Sequence, residues 1–166
     1  MGTCSYWGAS EISFRFGYLT PKQRAFWSLR KNGASQVEVS RKFDVTPQTV
    51  NKAFNSIDAK ISKALSEAAN VNRLEVRRMD TKQGYLLGYS FALNKEALVT
   101  FSSRNGVQVW YRGEGGCENC GWQRSCREVL LGEAAERGIK LPKGSGDMEP
   151  SQLADYLFEK IVEVQE

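Results

Sequence analysis

The chain contains no histidine. That absence removes His-based acid–base catalysis, Ser-His-Asp triads and imidazole metal ligands. It also leaves four cysteines as the only soft metal ligands apart from methionine sulfur. No apolar run approaches the roughly 18 residues needed to span a bilayer. The stretch from Met1 to Trp7 has no basic region followed by an apolar one. No secretory signal is therefore visible, and a cytoplasmic protein that does not partner with membranes is expected. No internal repeat is present. The expectation is a binding protein, not an enzyme.

What is present suffices for a real core. The 166 residues are 41% hydrophobic, which allows one or two small domains. The net charge of +4 is unevenly spread. Between Arg15 and Lys63 lie ten Lys or Arg residues against three acids, Glu38, Asp44 and Asp58. A basic N-terminal third on a near-neutral body suits a phosphate-binding module, although a solvated basic face would look the same by charge alone.

Residues 1–18 form an aromatic, glycine-rich N-terminal segment without a clear period. Three helix starts then follow closely. Thr20 can cap a helix with Pro21 at its first position and Gln23 closing a capping box; Gly33 stops it after about Asn32. Ser35 caps a second helix, with Glu38 in the reciprocal position, running to about Phe43. Thr46 caps a third, with Pro47 next, and no breaker appears before about Asn70. Along it Val50, Phe54, Ile57, Ile61, Ala64 and Ala68 are spaced four, three, four, three and four apart, a heptad-like seam. Such a helix is about 35 Å long and outruns a compact three-helix unit. Its second half must pack on the rest of this chain or form a dimer seam.

Within this stretch the spacing is that of a helix-turn-helix. Val39, Phe43, Val45 and Val50 are its apolar positions, Ser40 is small where the helices approach, and Asp44 occupies the turn position where glycine is commonest. The geometry puts the start of the third helix in a major groove. Gln48, Thr49, Asn51, Lys52 and Asn55 lie on its exposed face, with Thr46 at the cap. Gln and Asn can pair two-pronged with adenine, and Lys can reach guanine or phosphate. Gln36, Arg41, Lys42 and Lys60 are candidate phosphate contacts. An ordinary three-helix bundle would share the caps but has no need of the polar face.

At Leu19-Thr20-Pro21-Lys22-Gln23, Ser35-Gln-Val-Glu-Val-Ser40 and Val45-Thr-Pro-Gln-Thr-Val50 the chain resembles the sigma-region-four and LuxR-type class. Its arrangement of N-terminal motif, extended helix and small C-terminal domain is similar to archaeal Tfx-type transcriptional regulators. The resemblance covers about residues 19–70 well and the remainder loosely. It implies sequence-specific binding of double-stranded DNA, transcription regulation and a homodimer.

After Asn72 the period shortens. Leu74 to Arg77, parts of Tyr85 to Phe91, and a hairpin over residues 98–111 read as strands, the last turning at Asn105-Gly106. Helices over about Cys126–Arg137 and Ser151–Val164 follow, the second with Leu153, Leu157, Ile161 and Val164 on one face. The expected fold is α+β: a helix-turn-helix with an extended third helix over residues 19–70, then a small antiparallel sheet, a cysteine-loop metal site and C-terminal helices over residues 71–166. The C-terminal part is expected to serve sensing and dimerisation.

Cys117, Cys120 and Cys126 have the spacing C-x2-C-x5-C. A disulfide is disfavoured in a cytoplasmic chain, and three is an odd number. A [4Fe–4S] cluster takes four thiolates, and Cys4 is the remaining cysteine. Structural zinc and unmetallated thiols are the alternatives. The three-cysteine spacing resembles WhiB-type iron–sulfur regulators, as an analogy of site only. A cluster on Cys4, Cys117, Cys120 and Cys126 would make the regulator a sensor of redox state, oxygen or nitric oxide; with zinc, a small molecule would be the signal. Trp110, Tyr111 and Trp122 are expected to shield the site or simply to pack in the core. Arg124 and Arg127 could offset its charge or simply lie at the surface.

Overall fold

The computed structural model describes residues 18–113 and 116–163. Expectations about the N-terminal segment, Cys4, Arg15 and Val164 lie outside them. Among the described residues the architecture is α+β, with five helices and one four-stranded antiparallel sheet. None of these helices is long and apolar enough to cross a membrane.

The first three helices start where side-chain caps predict. In α1 (Pro21–Lys31) and α2 (Gln36–Lys42) full capping boxes form, Thr20 with Gln23 and Ser35 with Glu38. In α3 (Pro47–Val71) the Thr46 hydroxyl accepts from the Thr49 amide. Each cap satisfies amides that the first helical turn leaves without partners. Gly33 takes φ +90° beyond α1, and Asp44 takes φ +50° between α2 and α3. Asp44 thus adopts the left-handed conformation that its short polar side chain tolerates.

Four strands follow as a meander in the order β1 (Glu75–Asp80), β2 (Tyr85–Ser90), β3 (Lys95–Ser102), β4 (Gly106–Tyr111). The β3–β4 hairpin differs from the two-residue turn that Asn105-Gly106 suggests. Ser102 pairs with Gly106 across three loop residues, and of the pair only Gly106 has positive φ, +71°. A tight primed turn would need both. The Asn105 amide instead bonds the Ser102 hydroxyl at 2.7 Å.

The inner strands of the sheet are covered on both faces, while β1 is largely exposed. Leu86, Ala97, Val99 and Phe101 pack against α1–α3. Tyr85 and Leu98, with Leu87 and Trp110, face α4 (Gln123–Arg137) and α5 (Pro150–Glu163). The α3 seam is thereby resolved. Val50, Phe54, Ile57, Ile61 and Ala64 are buried in the core shared with this chain's own sheet. At the end of the helix burial moves from the expected Ala68 to Leu65 and Ala69. A straight helix of 3.6 residues per turn drifts off a seven-residue repeat in this way. The core therefore runs without a break across residue 70, and Trp27 of α1, fully buried, meets Phe101 of β3 at 5.2 Å between ring centroids.

α4 begins three residues before the expected Cys126. Its N-cap, Trp122, makes no side-chain cap bond, so no local signal marks the start. Its end is marked: Gly138 has φ +65°, the left-handed cap.

Candidate functional site

Two regions gather the residues singled out in the sequence. The first is the outer end of α3. Gln48, Thr49, Asn51, Lys52 and Asn55 are all exposed, as are Arg41 and Lys42 of α2. Gln48, Asn51, Lys52, Asn55, Arg41 and Lys42 make no side-chain hydrogen bond or ion pair among the described residues. Thr49 is engaged locally, its hydroxyl 2.9 Å from that of Thr46. Two expected phosphate contacts are occupied within the chain. Gln36 donates to the Pro47 carbonyl and so fixes α2 against the start of α3. Lys60 donates to Gln23 at 2.9 Å, joining α3 to α1.

α3 is tied to the rest of the chain at mid-length. Arg30 grips Asp58 through both terminal guanidinium nitrogens, and Asp58 also accepts from the Thr81 hydroxyl at 3.0 Å. Ser40 is buried and bonds the Val37 carbonyl at 2.8 Å, which keeps the α2–α3 approach close without leaving its hydroxyl unpaired.

The second region is the cysteine loop. The Cys120 amide bonds the Cys117 carbonyl at 3.1 Å, and the Cys126 amide bonds the Trp122 carbonyl at 2.9 Å within α4. Cys117 and Cys126 are half-buried; Cys120 is exposed. Among the described residues no three Cys, Asp or Glu side chains stand together as a ligand set. The expected shielding is partial. Trp110 packs on Phe158 and Tyr111 bonds Asn72, whereas Trp122 is exposed. Of the two readings open for the flanking arginines, Arg124 lies at the surface, paired with Glu128 at 3.1 Å, and Arg127 donates to the Met148 carbonyl at 2.7 Å.

Away from both regions, a buried charged cluster joins α4 to α1 and the sheet. Arg137, in the last turn of α4, pairs with the fully buried Glu133 at 3.0 Å and donates to the carbonyls of Gln83, Gly84 and Phe101. The adjacent Glu136 accepts from Lys31 of α1 at 2.9 Å and from the Ser103 amide at 3.0 Å. Burial pushes Glu133 above the ordinary carboxylate range despite Arg137. Burial alone would raise Glu136 too, but the Lys31 charge and the bonds from Lys31 and Ser103 bring it below that range. Lys31, under the same burial, is lowered although Glu136 opposes the change. The signal available in the sequence was Glu133 and Arg137 four apart within an apolar helix stretch.

Comparison with protein-family models, curated proteins and solved structures finds no match.

Proposed function

We propose that this chain is a sequence-specific, double-stranded-DNA-binding transcriptional regulator of the helix-turn-helix kind. The observation that carries the reading is the outer end of α3: Gln48, Asn51, Lys52 and Asn55 project from a cap-terminated helix and have no side-chain partner among the described residues. Such groups match base edges and phosphates. The test is selection of duplexes from a random pool, followed by fluorescence anisotropy at several salt concentrations. Asn51→Ala is expected to weaken the selected site by about 1–3 kcal/mol and relax its sequence preference. Lys52→Ala should lower affinity across sequences and reduce the salt slope by about one. Failure to enrich any sequence would sink the reading.

The cysteine loop supplies the signal input. A [4Fe–4S] cluster on Cys4, Cys117, Cys120 and Cys126 remains the thiol reading drawn from spacing, with structural zinc as its alternative. The described thiols do not pre-form either site. Elemental analysis of anaerobically purified protein decides: about four iron per chain supports the cluster, about one zinc supports the alternative, and neither metal rejects both. A homodimer on DNA would need a surface other than the buried α3 seam. Sedimentation with and without DNA tests it, and a monomer in both rejects it. Cytoplasmic location and lack of enzymatic turnover complete the proposal.

A further inference from the structure

Between the outer sheet face and α5 lies a cavity of about 620 Å³, a size that takes a small organic molecule. Strand pairing lays out its floor, because side chains on one face of a strand recur every second residue. Leu87, Leu98 and Trp110 are paired partners and form an apolar row across β2, β3 and β4. The next row along is charged. Arg112 bonds the backbone of Glu96, and the guanidinium groups of Arg112 and Arg77 share the Glu96 carboxylate at 2.9 and 3.4 Å. Arg78, paired with Leu87, adds a third arginine to the wall from β1. This bank thus sets three arginines against one carboxylate.

α5 supplies the opposite wall. Ala154, Phe158 and Val162, each four residues apart, line the cavity as an apolar stripe, with Phe158 packed on Trp110. One position further round, Asp155, Glu159 and Glu163 line it from exposed positions. Lys160 holds Glu163 at 2.6 Å, while Asp155 and Glu159 make no side-chain hydrogen bond or ion pair among the described residues. Their charge reaches across the opening: Glu96 raises the Arg112 pKa most, and Asp155 and Glu159 add to that. A basic bank therefore faces an acidic bank over an apolar floor. Cys117 and Cys126 also belong to the wall.

We propose that this cavity is a reversible binding site for a free aromatic α-amino acid. The ligand's ring lies against Trp110 and Phe158, where removal of apolar surface from water supplies most of the affinity. Its carboxylate faces the arginines, two of which share a single counter-ion, and its ammonium faces Asp155 and Glu159. A ligand of one sign alone meets a bank of its own sign; a zwitterion complements both.

The test is calorimetric titration of the full chain near neutral pH with three probes that share an indole ring. L-tryptophan carries both charges, tryptamine only the ammonium, and indole-3-propionate only the carboxylate. Tryptophan is expected to bind about tenfold more tightly than either, the contribution of one charged hydrogen bond. Replacing Asp155→Asn and Glu159→Gln together should remove its advantage over indole-3-propionate and keep its advantage over tryptamine. Ala154→Phe, which fills the cavity from α5, should abolish binding of all three, with a thermal melt showing that the chain still folds. Tryptamine or indole-3-propionate binding as tightly as tryptophan overturns the proposal. So does a full preference kept by the double variant, or no binding of any probe. No duplex is present, so none of these outcomes bears on sequence reading by α3.

Discussion

Arg137 shows how much one side chain can hold together. Its guanidinium is 4% exposed and engages Glu133, the β2 turn and the end of β3. Arg137→Met would leave the Glu133 carboxylate buried without a counter-charge. The expected cost is about 3–5 kcal/mol, read by chemical denaturation. The two glutamates respond to pH with opposite sign. Glu133 has a raised pKa, so its contribution to stability is full below the ordinary carboxylate range and is lost as pH climbs through the raised value. Glu136 has a lowered pKa, so its contribution is present above the ordinary range and is lost as pH falls through the lowered value. In melting temperature against pH, Glu136→Gln should flatten the acid side and Glu133→Gln the descent on the other side. Unchanged profiles would remove these groups from the linkage. None of this cluster was anticipated, because the pairing of Lys31 with Glu136 exists only once α1 and α4 meet across the folded chain.

Among the elements, side-chain caps made the starts of α1–α3 legible and the apolar face of α5 placed it to within a residue, whereas the uncapped start of α4 was missed by three. Thr20, Ser35 and Thr46 announce α1, α2 and α3 because the cap bond is local to three residues. α4 gives no such notice, and β1 and β3 extend beyond their apolar stretches through exposed residues such as Arg78, Lys95 and Glu96. Thr46→Ala is expected to cost about 1 kcal/mol. Asp44→Val places a β-branched residue at φ +50° and should cost about 1–2 kcal/mol. Thermal melts check both, and an Asp44→Val variant as stable as the parent would contradict the left-handed turn.

For the whole molecule, the periodic seam on α3 signalled that something must cover it but could not say what. Periodicity records that a face is buried; the partner is fixed by tertiary contacts, here with Leu86, Val99 and Phe101. Likewise the three close cysteines were legible, while the cavity that two of them line depends on how α5 seats on the sheet. A core shared by α1–α3 and the sheet predicts one cooperative unfolding transition, and a fragment of residues 18–72 that does not fold alone. Circular dichroism of that fragment checks this; an independently stable helical unit would refute it. Gly84 sits at the same junction with φ +69°, where an added Cβ would lie 2.7 Å from the Trp27 ring and 3.0 Å from the Phe101 carbonyl. Gly84→Ala is therefore expected to lower stability throughout the molecule.

α3 is also a rod. Its 25 residues span about 37 Å, and buried side chains from Val50 to Ala69 hold it along that length. At its far end the Tyr111 hydroxyl, on a residue of the cavity wall, donates to Asn72 just past the last turn. A beam held at so many points does not pivot; a push at one end carries the whole helix along its axis. The tip carrying Gln48 and Asn51 would then move together with the end tied to the cavity wall, with no hinge needed in between.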